Sequence, residues 1–432
     1  MKILLSLDTY DVTPSAHLFI VFLRIIARGA ALCLFLVVLM NYLIDPYSIY
    51  NAPRLDGINS NKPLLFKYLR LTKAHAIMRK KPDALILGSS RTEHGLDPEH
   101  PALINQYNSF NLALTGANIY ENLRYLQHAN AVNPLKKVVL AVDLFQFNAH
   151  RPTAADYSDA RLRADVNGNK QPVSIFTDKL ATLVSVDATI ASIKTLLNQD
   201  NDDNVILARG QVMQPDKNAL IMRSGGRHEA ALYSELNYIS HLYFPRPHRK
   251  FDFVTEDGTI NTFDYFNNIL YYCHKNNIEL YMLISPAHAR QWELIASAGM
   301  WGKFERWKQQ MVHFNDAMAR MYQRPAFPLW DFSGFNSYTT EPVPKLGDKT
   351  KMMQWYWESS HYRKELGDRV LDKVLGYSDP NRSIADDFGV LITLDNIEQH
   401  LKKIRDDRKI YERTHAEEVN EIKTLVRKYR SK

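Results

Sequence analysis

The feature that most constrains this chain is a long apolar run near its N-terminus. Between Leu18 and Ile44 the sequence reads LFIVFLRIIARGAALCLFLVVLMNYLI, and its only charged residues are Arg24 and Arg28. A helix needs about 20 apolar residues to cross a bilayer. The run reaches that length when the two arginines extend toward the lipid headgroups. We therefore predict an uncleaved transmembrane anchor within residues 1–45, the alternative being a helix buried in a protein core.

The residues around the run bear on its processing and its orientation. No small-x-small cleavage site follows it, and Cys33, the only candidate for lipid attachment, lies in its middle. Arg24 and Arg28 lie on the N-terminal side of the uninterrupted apolar part, residues 29–44, and favour an inside N-terminus. Residues 46–75 carry more basic residues than the segment before the run. Because large domains cross membranes largely regardless of charge, we expect the domain after the anchor to face outside.

Segments with strand and helix patterns alternate after residue 80. The predicted strands are 83–87, 110–114, 137–145, 278–284 and 327–332. The predicted helices are 118–131, 262–275, 288–298, 304–322 and 361–375. Such alternation is typical of right-handed crossovers between parallel strands. The expected fold is α/β, with a doubly wound, mostly parallel sheet of the flavodoxin-like kind.

Breaks in this alternation suggest the domain organisation. After the anchor we expect a linker at 46–80, the α/β domain at 81–378 and a helical tail at 379–432. Residues 150–260 interrupt the alternation and are predicted to be an insertion or lid. In the tail, apolar residues recur every three or four positions, which predicts one amphipathic helix or two. That helix packs back on the domain or, alternatively, pairs with a partner protein.

The first candidate for chemistry is the turn Gly88-Ser89-Ser90-Arg91, directly after the first predicted strand. Open α/β sheets place their sites at the carboxyl ends of their strands. Ser89 or Ser90 is therefore a candidate nucleophile, the alternative being a plain turn residue. The neighbouring Arg91 either binds an anionic sugar or supports the turn.

The second candidate is a histidine near the end of the predicted α/β domain. Glu358 lies three residues before His361, and a carboxylate at this spacing can orient the imidazole. The rival base is His288, which follows the fourth predicted strand. In either case the other histidine is expected to be a capping or packing residue.

The ends of the second and third strands supply candidate donors. Gly116 follows the second strand, where its backbone N–H can join that of Ser90 in an oxyanion hole. Asn111 and Asn118 flank this glycine and are candidate side-chain donors. Asp143 ends the third strand, either as a substrate-binding carboxylate or as a strand-end cap.

At these residues the chain resembles the SGNH (GDSL-like) hydrolase superfamily. The Gly-Ser-Ser turn matches its first block, with Ser90 in the place of the nucleophile and serine instead of the usual aspartate beside it. Gly116 matches the second block, and Glu358 with His361 matches the last, with glutamate for aspartate. The third block departs from the family, because Asp143 stands where a Gly-x-Asn pattern is usual.

An anchor followed by such a domain is similar to the bacterial cell-envelope branch of this superfamily, which includes alginate O-acetylation proteins and the D-alanine transfer protein of teichoic acid synthesis. The resemblance implies transfer or removal of O-acyl groups on envelope polysaccharide through an acyl-serine. It also implies a bacterial inner-membrane protein with a periplasmic domain, whose partners are an envelope glycan and a membrane-bound acyl-donor protein. The alternative is a non-catalytic member that binds glycan or scaffolds an envelope assembly.

Other classes of site have little support in the sequence. Cys33 and Cys273 are the only cysteines, which argues against a structural disulfide or a cysteine zinc cluster. No metal-protease, P-loop or dinucleotide motif occurs, so we expect neither a metal nor a cofactor. The net charge of +7 comes from dispersed basic residues, so nucleic-acid binding is not expected.

Overall fold

The structure is a computed structural model that describes residues 13–172, 175–199, 205–213 and 216–431. The strands in these residues are β1 (Ala84–Leu87), β2 (Ser109–Asn111), β3 (Lys137–Val142), β4 (Val205–Ile206), β5 (Val212–Met213), β6 (Glu279–Ile284), β7 (Leu329–Asp331) and β8 (Val390–Leu391). The α-helices are α1 (Thr13–Ile44), α2 (Leu69–Lys80), α3 (Ser90–Gly95), α4 (Pro101–Ile104), α5 (Ile119–Val132), α6 (Ile175–Val184), α7 (Val186–Leu197), α8 (Lys217–Arg223), α9 (Arg227–Asn237), α10 (Thr262–Lys275), α11 (Ala289–Ser297), α12 (Trp301–Tyr322), α13 (Lys364–Leu375), α14 (Ile397–Thr414) and α15 (Ala416–Arg430).

The chain divides into two compact units. The first contains α1, the segment that follows it up to Leu65, and the helices α6 and α7. The second contains the central sheet and the remaining helices. The expected insertion at 150–260 is therefore shared between the units, because its α6 and α7 belong with α1.

A six-stranded sheet forms the centre of the second unit, in the order β2-β1-β3-β6-β7-β8. Neighbouring strands are parallel from β2 to β7, and β8 is antiparallel to β7. The predicted α/β class with a mostly parallel sheet is thus confirmed. The sequence analysis missed β8, because two residues are too short to show a strand periodicity.

Successive residues of the central strands enter different parts of the core. Leu85 and Leu87 of β1 belong to one apolar cluster with Leu123 of α5. Ile86, between them, belongs to another with Val370 of α13. Because side chains alternate across a strand, both faces of the sheet are covered, and the strands are continuously apolar rather than alternating.

Part of the expected linker is structured. Residues 69–80 form α2, and Leu69, Ala74 and Ile77 are buried in the core. The amphipathic pattern of α2 is hard to see in the sequence, because Arg70 and Lys73 are buried as well and form ion pairs with glutamates. The linker prediction therefore does not hold for this helix.

Helix α1 is long and apolar enough to cross a membrane over His17–Ile44. Between Leu18 and Leu36 its apolar side chains are exposed, except that of Val21, which is half-buried. The predicted N-terminal apolar helix is confirmed, and the alternative of a buried core helix is not supported.

The C-terminal tail forms two helices that belong to the second unit. Ile397 and Leu401 of α14 and Ile422 and Val426 of α15 are buried in the main apolar cluster. Their apolar faces are therefore covered by the domain itself, as expected for a tail that packs back on its own domain. This packing does not favour the alternative of a coiled coil with a partner.

Candidate active site

The turn after β1 presents Ser90 at the start of α3. Gly88 has a φ of +155°, and a Cβ on it would lie 2.9 Å from the Ala141 carbonyl oxygen, so glycine is required there. Ser89 caps α3, because its Oγ accepts a hydrogen bond from the Arg91 backbone N–H at 3.3 Å. Ser90 follows as the first residue of α3, and its side chain is partly exposed.

Ser90, His361 and Glu358 come together although more than 260 residues separate the serine from the other two. The Oγ of Ser90 lies 2.8 Å from Nε2 of His361. The other ring nitrogen, Nδ1, hydrogen-bonds a carboxylate oxygen of Glu358. With Nδ1 carrying the proton, Nε2 is free to accept the serine hydroxyl proton. This meets the geometric condition for a nucleophile, a base and a group that orients the base.

Backbone geometry holds Glu358 in place. One carboxylate oxygen accepts the Ser360 N–H at 2.7 Å, and the other accepts the His361 N–H at 3.0 Å. Burial raises the pKa of Glu358, but its interactions with His361 outweigh that effect and lower the pKa to about 2. Glu358 is therefore ionised at neutral pH, as a group that stabilises an imidazolium must be.

A buried network connects the serine turn to the histidine segment. Asp143, at the end of β3, accepts the Ser89 hydroxyl at 2.6 Å and the Arg91 guanidinium at 2.6 Å. The same guanidinium donates from Nε to Ser360 Oγ at 3.0 Å. Arg91 and Asp143 are both nearly inaccessible to solvent, so these contacts support the turn rather than substrate binding.

The choice between the two serines follows from their contacts. Ser89 is fully buried and uses its hydroxyl as a donor to Asp143 and as a helix cap. Ser90 is partly exposed and faces His361. Geometry therefore favours Ser90 as the nucleophile.

The asparagine side chains that were candidate oxyanion donors have other partners. Asn111 donates from Nδ2 to the carbonyl oxygens of Thr92 and Leu96, at 3.1 and 2.8 Å, which uses both amide hydrogens. Asn118 caps α5, accepting the Glu121 N–H at 2.9 Å. Asn111 therefore has no amide hydrogen left for an oxyanion, whereas Asn118 donates from Nδ2 to the Arg151 carbonyl at 3.4 Å.

Gly116 differs from these asparagines, because its candidate donor is a backbone N–H. Leu114, two residues before it, donates its N–H to the Gly88 carbonyl at 3.1 Å, so the loop after β2 lies against the serine turn. Within the described part of the chain, the N–H groups of Gly116 and Ser90 have no hydrogen-bond acceptor. Both groups remain candidates for an oxyanion hole.

His288 occupies a structural position. It is almost fully buried and caps α11 by accepting the Arg290 N–H at Nδ1. Its other ring nitrogen hydrogen-bonds the Glu341 carbonyl at 2.6 Å. Burial lowers its pKa to about 4, and both of its nitrogens are engaged, so His288 is not a rival for His361.

Sequence reasoning missed two cationic or titratable neighbours of the site. Burial lowers the pKa of Lys217 to about 8, although the nearby Glu358 carboxylate opposes this shift. The His94 ring packs edge-on to that of His361, with 5.6 Å between their centroids. Burial, together with the charges of Lys217 and His361, keeps the pKa of His94 well below its usual value. Lys217 is distant in sequence from the other site residues, and His94 lies four residues after Ser90 on α3, a helical spacing that was not considered.

Comparisons with known proteins add no assignment. No protein-family model matches the chain, and no curated protein is detectably similar to it in sequence. Among the described residues, no group of three or more histidine, cysteine, aspartate or glutamate side chains is placed to hold a metal ion.

Proposed function

We propose that this chain is a membrane-anchored acyltransferase or esterase of SGNH type, which acts on O-acyl groups of envelope polysaccharide through an acyl-serine at Ser90. The observation that carries the proposal is the 2.8 Å contact between Ser90 Oγ and His361 Nε2, with Glu358 on the opposite side of the ring. An activated serine with an oriented base is the arrangement that nucleophilic acyl chemistry requires.

In the proposed reaction, Ser90 Oγ attacks the carbonyl carbon of an ester while His361 Nε2 takes its proton. Glu358, ionised because its pKa is about 2, stabilises the resulting imidazolium. The tetrahedral intermediate then collapses, His361 protonates the leaving alkoxide oxygen, and the acyl group stays on Ser90. Water or a sugar hydroxyl attacks this acyl-serine in the second half, with His361 again acting as base, and Ser90 is regenerated.

The backbone N–H groups of Ser90 and Gly116 are the proposed oxyanion donors. The hydrogen bond from Leu114 N–H to the Gly88 carbonyl supports this assignment, since it joins the two loops that carry them. Removing one donor from such a hole typically slows acyl transfer about 100- to 1,000-fold. In the SGNH family an asparagine of the third block is usual. In this chain Asp143 stands at that position and its carboxylate supports the serine turn, so we propose that backbone N–H groups act as the oxyanion donors.

The fold and the anchor support the finer parts of the proposal. Helices on both faces of the mostly parallel sheet, and a serine at the carboxyl end of β1, agree with a doubly wound SGNH domain. Helix α1 supports a bacterial inner-membrane anchor, and Arg24 and Arg28 before its apolar core support a periplasmic domain. An envelope glycan and a membrane-bound acyl-donor protein are the proposed partners.

Fluorophosphonate labelling of the full chain in detergent tests the serine chemistry, because these probes react with activated serines. Wild-type protein is expected to be labelled, and Ser90→Ala is expected to lose the label completely. Ser89→Ala removes a helix cap and the bond to Asp143, so it should be less stable yet still react. Label retained in Ser90→Ala, or no label on folded wild-type protein, would overturn the proposal. If wild-type protein is labelled and Ser90→Ala is not, acetylated polysaccharides would be screened as substrates.

One observation favours a second candidate, a non-catalytic glycan-binding or scaffolding protein. Asp143 stands at the third-block position, and its buried carboxylate accepts hydrogen bonds from Ser89 and Arg91. An ionised carboxylate cannot donate a hydrogen bond to an oxyanion. Folded wild-type protein that binds acetylated polysaccharide but does not react with the probe would establish this second function.

A further inference from the structure

The first unit carries a second apolar surface in addition to α1. Helices α6 and α7 follow each other almost directly and are bent by 66°. On α7, Val186, Ile190, Ile193 and Leu197 have exposed fractions of 73%, 44%, 45% and 77%. Their spacing of four, three and four residues places them on one side of the helix. We call these four residues the α7 apolar face.

The opposite side of α7 packs against α1 through small residues. Ala188, Ala191, Ser192 and Thr195 are almost completely buried. Small residues let two helix backbones approach closely, which is how helices commonly pack within membranes. The orientation of α7 is therefore fixed by α1, and its apolar face must point away from α1.

A buried asparagine marks the depth at which this packing occurs. Asn41, in the last turn of α1, donates from Nδ2 to the Leu183 carbonyl at 2.9 Å and to Thr189 Oγ1 at 3.1 Å. It also accepts the Ser192 hydroxyl at 2.8 Å. Burying an amide in an apolar helix is costly unless it is hydrogen-bonded. All three partners of Asn41 belong to the two short helices, Leu183 to α6 and Thr189 and Ser192 to α7. These helices are thus matched to the C-terminal end of α1.

Position along α1 then gives the expected position in a bilayer. The apolar run ends at Ile44, so Asn41 lies about 5 Å from its end, at a rise of about 1.5 Å per residue. The two short helices have 10 and 12 residues, and neither alone is long enough to cross the hydrocarbon. A helix that exposes one apolar face at this depth can lie in the plane of the membrane interface, with that face against the acyl chains.

We propose that α6 and α7 lie in the headgroup region of the bilayer that α1 spans, with the α7 apolar face at the boundary of the acyl chains. The proposed occupant of this face is lipid, because the face belongs to the same unit as the exposed apolar side chains of the membrane anchor α1. Asp187 and Lys194 flank it on one side, where charged groups reach the headgroups. A second contact with the lipid surface restrains rotation of this unit about the α1 axis. A single membrane-spanning helix alone leaves that rotation free.

This inference rests on the membrane anchoring in the proposed function but not on the serine chemistry. Depth-dependent fluorescence quenching tests it in full-length protein reconstituted into vesicles of phosphatidylcholine and phosphatidylglycerol. Cys33 is replaced by alanine, while Cys273 is buried and is left in place. Single cysteines are then introduced at Ile190 or Ile193 and labelled with a polarity-sensitive fluorophore.

Two reference positions calibrate the measurement. A probe at Leu36 of α1 reports insertion of the anchor, and a probe at Tyr233 reports an exposed aromatic position of the second unit. Lipids with a spin label near the top of the acyl chain should quench the probes at 190 and 193 several-fold more than the probe at 233. Lipids labelled deep in the chain should quench them less than the shallow label does.

Three results would overturn the inference. Probes at 190 and 193 that match the one at 233 would place the α7 apolar face in water. A blue-shifted emission that lipid quenchers do not reduce would mean that protein, either a second copy or another chain, covers the face. An unquenched probe at 36 would show that α1 is not inserted. Serine labelling of the same samples is scored separately, so failure of the anchoring and failure of the chemistry are distinguished.

Discussion

The substitution Gly367→Ala is expected to push apart the two segments that carry the candidate catalytic residues. Gly367 lies in α13, six residues after His361, and faces Gly95 at the end of α3, the helix that begins at Ser90. A Cβ built on Gly367 would lie 1.8 Å from the Gly95 carbonyl oxygen and 2.6 Å from its carbonyl carbon. The two helices can pack this closely only because Gly367 has no side chain.

The geometry also sets the size of the effect. Real Cβ atoms essentially never lie within 3.0 Å of another heavy atom. A Cβ only 1.8 Å from the Gly95 oxygen therefore requires the two backbones to separate by about 1.2 Å. The opposing group is backbone, so no flexible side chain can move aside. Overpacking of this kind costs about 1–3 kcal/mol of the free energy of unfolding. A misplacement of about 1 Å also slows a positioned reaction by about 100-fold, and the 2.8 Å contact of Ser90 with His361 lies directly between these segments.

Urea unfolding and the rate of fluorophosphonate labelling, both on full-length protein, measure the two effects. Gly302→Ala is the matched control, because Gly302 is exposed on α12 and a Cβ there meets nothing within 4 Å. The control should be neutral or more stable by about 0.5–1 kcal/mol, with an unchanged labelling rate. Gly367→Ala with wild-type stability and labelling would refute the close packing of α3 on α13.

The buried charges of the second unit give three further expectations. The pKa of Glu358 is about 2 in the folded protein against a usual 4.5, so its stabilising effect is complete above pH 4.5 and is lost as the pH falls through 2. Glu358→Gln should therefore remove about 3 kcal/mol of pH-dependent stability, and its unfolding free energy between pH 5 and pH 2 should vary less than that of wild type. Arg91→Lys cannot donate to Asp143 and Ser360 with the same planar fork, so labelling should slow at least about tenfold while the fold persists by circular dichroism. Lys308→Met leaves the Asp331 carboxylate buried without its ammonium partner, which should cost about 3–5 kcal/mol in chemical unfolding without slowing labelling of the folded fraction.

Elements with strong local patterns could be predicted from the sequence. The helix at 262–275 is observed with the predicted ends, and the strand expected at 278–284 is observed as β6. Their apolar spacing is regular, and the residues that bound them are local signals. The third and fifth predicted strands end earlier than expected, after Val142 and Asp331.

The candidate site could be predicted in part. Glu358 and His361 are close in sequence, so their pairing follows from a local spacing. The distance between His361 and Ser90 depends on how α13 packs against α3, which no local pattern encodes. Lys217 was missed for the same reason, while His94 lies four residues after Ser90 on α3, where only the fold shows that its ring meets that of His361.

The sequence by itself determined the apolar helix α1, the central strands and the order of serine, glutamate and histidine, because each depends on residues that are neighbours along the chain. Only the tertiary structure decided that Ser90 and not Ser89 faces His361, since both have the same chemistry and differ only in burial and partners. It also decided that Asp143 supports the serine turn, because Arg91 and Ser89 reach both of its oxygens. Hydrogen bonds and close packing join residues that are distant in sequence, and local propensity carries no information about which of them will meet.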